Sequence, residues 1–100
     1  MDGELKFEGQ YLNDLRNFGK EYNNEGELVF EGKYLNGEKW NGAIKLYHNN
    51  NKLKFEGEFL NGKKYGKGKE YNNNGYLIFE GEYLNGKKSG KGKEYYSNGT

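Results

Sequence analysis

The sequence predicts an all-β fold, an elongated single-layer antiparallel meander of stacked β-hairpins with about eight strands and no helix. Three observations carry that prediction. A segment beginning Phe-Glu-Gly recurs at Phe7, Phe30, Phe55 and Phe79, at steps of 23, 25 and 24 residues; a unit that short cannot bury a core alone and has to stack on its neighbours. Around each Phe the side chains alternate with period two, which marks a strand: Leu77, Phe79, Gly81 and Tyr83 fall on one face, Ile78, Glu80, Glu82 and Leu84 on the other. Tight-turn pairs punctuate the chain, and no proline interrupts a ladder that needs every N–H.

Taken in order, the first strand of each repeat presents Leu, aromatic, Gly, aromatic to one side: Leu5 to Tyr11, Leu28 to Tyr34, Leu53 to Phe59 and Leu77 to Tyr83. That side is the predicted core. Each such strand runs into Asn36-Gly37, Asn61-Gly62 or Asn85-Gly86, pairs that tolerate positive φ and suit hairpin turns. A more polar strand follows, ending in Tyr22, Tyr47, Tyr71 or Tyr95. A second turn closes the unit at Glu25-Gly26, Asn74-Gly75 and Asn98-Gly99, with Asn51 in place of glycine in the second copy, an exchange that left-handed geometry permits. The chain thus divides into one array over residues 1–100, with repeats at about 5–29, 30–54, 55–78 and 79–100.

Composition decides what holds such an array together. Only 32% of the 100 residues are apolar against 31% charged, yet aromatics make up 17% and recur at fixed positions, which a solvated tail has no reason to do. Gly9, Gly32, Gly57 and Gly81 lie between large side chains on the core face, where a missing Cβ leaves room for a ring to lie across the backbone. Ile44 and Leu46 share the parity of Gly68 and point to Gly66, Gly68, Gly90 and Gly92 facing that side too. The absence of cysteine removes disulfides and thiolate metal sites. No apolar run approaches the roughly 20 residues of a membrane span and no signal-peptide pattern opens the chain, so the expected location is intracellular, cytoplasmic or peripheral at a membrane.

Catalysis finds little to use, and neither a catalytic residue, a metal site nor a cofactor is expected. His48 is the single histidine, so neither a histidine metal site nor a Ser/His/Asp triad can be assembled. The run from Gly86 to Lys93 lacks the Gly-Lys-Ser/Thr ending of a phosphate loop, and no helix follows it. Glu56, Glu58, Glu80 and Glu82 recur as a cross-strand Glu/Lys lattice on the solvated face. Asn98-Gly99-Thr100 fits the glycosylation pattern by chance, with no secretion signal to make it meaningful.

Two features stand out for binding. Lys63, Lys64, Lys67 and Lys69 stack in register with Lys87, Lys88, Lys91 and Lys93, a ladder of positive charge along one edge. It is either a solubility device that blocks edge pairing or a site for a polyanion or for anionic phospholipid, where each Lys near the surface is worth about 1 kcal/mol. Nucleic acid is disfavoured by a net charge of only +1. Phe18, Trp40 and Tyr65 form a column of aromatics near the hairpin tips, read either as a protein interface or, for Trp40, as a ring folded back over glycines.

The spacing Phe79-Glu-Gly81, Gly86, Gly90-Lys-Gly92 and Gly99 resembles the MORN repeat, and the added Asn-Gly-X-Leu-X-Phe and Lys-Glu-Tyr elements are similar to its variant form, as in antitoxin-like bacterial proteins. The resemblance implies a twisted sheet of hairpins used as a scaffold or docking surface, without catalytic residues. The first reading is therefore a non-enzymatic scaffold for a protein partner. A peripheral adaptor for anionic phospholipid and an antitoxin-like module acting on a separate enzyme are its alternatives. The first two copies depart: Asp14 stands where Gly62 and Gly86 stand, one segment is a residue short and the next a residue long, so different turns are expected there. The chain begins and stops at the same phase of the repeat without obvious caps, which makes head-to-tail self-association through the terminal strands an expectation as well.

Overall fold

The computed structural model describes residues 5–98; the turn and glycosylation pattern expected at Gly99 and Thr100, and the repeat phase read at Asp2-Gly3, lie outside them. Eight strands, β1 (Phe7–Leu12), β2 (Leu15–Tyr22), β3 (Leu28–Leu35), β4 (Glu38–Tyr47), β5 (Leu53–Leu60), β6 (Lys63–Tyr71), β7 (Leu77–Leu84) and β8 (Lys87–Glu94), follow one another in a single sheet. Every neighbour is antiparallel and the spatial order is the chain order. The molecule measures 46 × 34 × 13 Å, and 13 Å leaves room for one layer only.

All four first turns are the same. The two central residues have positive φ in each, 53° and 69° at Asn13-Asp14, 52° and 83° at Asn36-Gly37, 55° and 79° at Asn61-Gly62, 54° and 84° at Asn85-Gly86. This is the primed hairpin turn whose twist matches that of the strands. The expectation of different turns in the first two copies is corrected, because Asp14 adopts the left-handed conformation despite its Cβ. At the other end, the Asn23 and Asn72 side chains each accept two backbone N–H groups of their own loop, from Glu25 and Glu27 and from Asn74 and Tyr76. Asn51 supplies the left-handed residue of the second copy at φ 68°.

The irregular repeat lengths are absorbed as bulges. Between Gln10↔Phe18 and Tyr11↔Arg16, and between Lys33↔Asn41 and Tyr34↔Lys39, the second strand carries one extra residue, Asn17 or Trp40. In the third and fourth hairpins it carries two, around Gly66 and Gly90. The glycine assignment is corrected accordingly. A Cβ at Gly68 would meet the rings of Phe55 and Tyr83, and one at Gly92 the ring of Phe79, so these face the core. Gly66 and Gly90, at φ 71° and 75°, supply the bulge conformation instead.

The core is one row of side chains on one face: Phe30, Tyr34, Ile44, Phe55, Phe79 and Tyr83, with Phe7, Val29, Leu46 and Phe59 packed against it. Rings meet edge to face, within a repeat at Phe79–Tyr83 (5.8 Å) and across repeats at Phe55–Tyr83 (5.4 Å) and Phe7–Tyr34 (5.6 Å). A single layer has no second sheet to cover such rings. Cations do it instead: Lys64 Nζ lies 4.3 Å from the Phe55 ring centre, Lys88 Nζ 4.1 Å from that of Phe79, and the Arg16 guanidinium 4.7 Å from that of Phe7.

Candidate functional site

Alternation makes the second face of the sheet a different surface. Cross-strand pairing there runs Lys45↔Glu56↔Lys69↔Glu80↔Lys93, with Lys67↔Glu82 beside it and Glu8↔Lys20↔Glu31 toward the first strand. Opposite charges directly across the strands favour this register. The surface is hollowed into a groove of about 1130 Å³, floored by the backbone at Gly57, Gly68, Gly81 and Gly92 and broken by Ala43 where β4 carries no charge. Tyr71 and Tyr95 donate their hydroxyls to Glu56 and Glu80 at 2.7 Å, fixing those carboxylates along it.

The phenols tied to carboxylates hold their protons unusually well. Tyr34 donates to Glu21 and Tyr83 to Glu70 on the ring face. Burial first, then the neighbouring carboxylates, raise both phenols above the ordinary 10.0. The Tyr71 phenol is pushed up to about 12, by burial first and then by the Glu56 hydrogen bond and charge. The unfolded chain releases these protons from 10.0 upward while the folded chain keeps them, so their contribution is complete below pH 10 and is lost as pH rises toward 12 and beyond. Denaturant titrations at rising alkaline pH are expected to show stability falling through this window, with a shallower fall for Tyr71→Phe; the same fall in both would remove Tyr71 from the account.

The eight lysines of the sequence reading do not form one ladder. Lys64 and Lys88 belong to the ring face, and Lys88 also lies 3.8 Å from Glu70. Lys67, Lys69 and Lys93 stand across from glutamates on the charge face, with Lys91 beside them on β8. Lys63 and Lys87 open their strands opposite Leu60 and Leu84. Positive charge is therefore interleaved with negative and divided between two faces.

The three aromatics also part company. Phe18 and Tyr65 are 54% and 42% exposed and stand opposite Gln10 and Glu58 on the charge face. Trp40, the bulge residue of β4, lies against the turn of the next hairpin, where a Cβ on Gly62 would sit 3.4 Å from its ring, and its carbonyl accepts the Gly62 N–H at 2.9 Å. The glycine it covers belongs to the next hairpin and not to its own. His48 occupies the second-end loop and donates from Nε2 to the Tyr71 carbonyl at 2.9 Å, tying one loop to the next. Among the described residues no group of three or more His, Cys, Asp or Glu is placed to hold a metal ion.

One feature escaped the sequence reading. Leu12, Leu35, Leu60 and Leu84 each precede a first turn, alternate onto the charge face, and are 60%, 44%, 42% and 51% exposed. They line up in register across the four hairpins, with Leu15 (46%), Phe18 and Tyr65 beside them. The signal was present, because Leu84 follows Glu82 in the alternation of its strand.

Residues 55–75 and 79–100 match the family model of the MORN repeat. The C-terminal half of the chain carries MORN repeats. The two matched MORN units are the third and fourth hairpins, those with the two-residue bulges around Gly66 and Gly90. The first two hairpins share their turns and ring row but depart in bulge length. MORN repeats are generally associated with contacts to proteins or membrane lipid. No curated protein and no solved structure matches the chain. No helix among the described residues is long and apolar enough to cross a membrane.

Proposed function

We propose that the chain is a non-enzymatic repeat scaffold that holds a protein partner against its charge face. The row Leu12, Leu35, Leu60 and Leu84 carries this reading. Four exposed leucines recur about 10 Å apart, two strand spacings, beside a grooved floor of both charges. Apolar anchors with a polar surround are the anatomy of a protein interface, and an exposed apolar row is costly to keep without a partner. The ring face supports it less, since its aromatics are closed over by Lys64, Lys88 and Arg16. An enzyme held in this way would be regulated by the scaffold.

The anionic-phospholipid alternative needs a continuous positive surface, and alternation with glutamate interrupts it. The test compares the chain with Leu60→Ser/Leu84→Ser and with Lys63→Glu/Lys87→Glu, in retention of host-cell proteins and in co-sedimentation with neutral and anionic vesicles, at low and high salt. Retention of a protein that withstands salt and is lost in the leucine variant supports the proposal. Retention unchanged by the leucine variant overturns it. Binding confined to anionic vesicles at low salt and lost in the lysine variant would put phospholipid in its place.

A further inference from the structure

The two open edges of the sheet are complementary halves of the contact that already joins one repeat to the next. Inside the chain that contact is made twice by the same chemistry. At β6–β7, Glu70 pairs with Phe79, Lys69 with Glu80, Gly68 with Gly81, Lys67 with Glu82 and Gly66 with Tyr83. At β2–β3, Glu21 pairs with Phe30, Lys20 with Glu31 and Gly19 with Gly32. In both, the incoming Tyr donates to the glutamate of the preceding repeat, Tyr83 to Glu70 and Tyr34 to Glu21. Its ring also packs on the preceding Phe, Tyr83 on Phe55 and Tyr34 on Phe7.

On β8 the outer edge offers Gly90, Lys91, Gly92, Lys93 and Glu94, the residue types of Gly66 to Glu70 in the same order. Every residue of β8 is exposed. On β1 the outer edge offers Phe7, Glu8, Gly9, Gln10 and Tyr11, matching Phe79 to Tyr83 except that Gln10 replaces a glutamate. Tyr11 is 60% exposed where Tyr34 and Tyr83 are 2% and 4%. The halves also differ in charge, with six basic and nine acidic residues in positions 1–50 against ten and six in positions 51–100. Lysines on an edge strand ordinarily discourage pairing; here Lys93 would meet Glu8.

We propose that β8 of one copy pairs antiparallel with β1 of a second copy, in the register Glu94↔Phe7, Lys93↔Glu8, Gly92↔Gly9, Lys91↔Gln10 and Gly90↔Tyr11. The Tyr11 hydroxyl then donates to Glu94, and its ring closes over Phe79 beside Lys88, as Tyr83 does over Phe55 beside Lys64. The contact is heterologous, so it continues from copy to copy as a fibre or closes as a ring, with the charge-face groove running through the joints.

Two variants separate the two ends. Tyr95 donates its N–H to Ile78, so antiparallel alternation leaves the Glu94 N–H on the open side of β8. Glu94→Pro removes that donor and the carboxylate while leaving the bonds to β7. Tyr11→Glu removes the incoming ring and sets a carboxylate against Glu94, the group its hydroxyl would have met. Sedimentation velocity of the full chain over a wide concentration range is expected to show mass rising beyond a dimer. Each variant should stay monomeric with the wild-type melting curve at low concentration, and an equal mixture of the two should stop at a dimer, because one intact end of each kind is left. A wild-type mass fixed at one chain overturns the proposal. So does association that survives in both variants, which would place the contact elsewhere, such as on the leucine row.

Discussion

Phe55→Ala is expected to cost about 3–5 kcal/mol, the usual range for removing a buried phenylalanine, and to lower the melting temperature on the order of 15–30 °C for a domain of this size. The ring is 2% exposed, although the layer has no second sheet over it. It lies across the backbone of Gly57 and Gly68, so close that a Cβ on either would come within 2.8 or 2.9 Å of it. Tyr83 meets it edge to face at 5.4 Å and Lys64 closes it from outside at 4.3 Å. Truncation therefore removes the cover from two strands, the partner of a ring in the next repeat and the seat of a cation. The loss is large against the 5–15 kcal/mol of total stability typical of such domains. Phe18→Ala is the control; with its ring 54% exposed on the other face, it should fall within about 0.5 kcal/mol of wild type. An unchanged melting temperature for Phe55→Ala would mean that the ring row does not hold the sheet together.

The faces of the first strands were legible because Phe30, Tyr34, Phe55, Phe79 and Tyr83 sit at fixed period-two positions with no irregularity between them, and these are buried as read. Leu5 and Tyr11, read to the same core, are 53% and 60% exposed because no strand lies beyond β1 to cover them. The second strands were legible only in part, for a physical reason. A bulge of one or two residues intervenes between the turn and the Lys-Glu-Tyr ending, so parity counted from one end fails at the other. Lys63 and Lys64 before the bulge and Lys67 and Lys69 after it looked like one ladder for that reason. Their assignment needs the pairing with the neighbour, Lys64 with Phe59 and Lys69 with Glu56. Ile44 shows the same effect. Residue repetition would put Leu46 opposite Phe30, as Glu70 is opposite Phe55, but β4 is shifted and Ile44 takes that place, filling with a side chain the row that glycine occupies elsewhere. Exposure was harder still. Nothing in the alternation distinguishes a solvated leucine from one awaiting a partner, so the row from Leu12 to Leu84 became visible as a surface only once the hairpins were aligned.

Gly81→Val sets two principles against each other, and the sign of its effect decides between them. Strand propensity favours valine over glycine by up to about 1 kcal/mol, and on propensity alone the variant gains stability. Close approach says the opposite. A Cβ at this position would sit 2.7 Å from the Gly92 Cα, 2.8 Å from the Lys91 carbonyl oxygen and 2.8 Å from the tip of the Phe79 ring. Two of these neighbours are backbone and cannot rotate away. Either β8 moves off β7 or the Phe79 ring is expelled, and Phe79 is 7% exposed beneath Lys88. Overpacking of this kind typically costs about 1–3 kcal/mol and occasionally more; the upper part of that range is expected, since an added isopropyl group has no free direction on the ring face. The failure should be local, because β8 is held by β7 alone. Amide exchange is therefore expected to quicken across Lys91, Lys93 and Tyr95 while β3 to β5 keep their protection, and β8 should lose its competence to meet β1 of a second copy. A variant more stable than wild type, with β8 still protected, would show that the glycine row is a matter of composition and not of space.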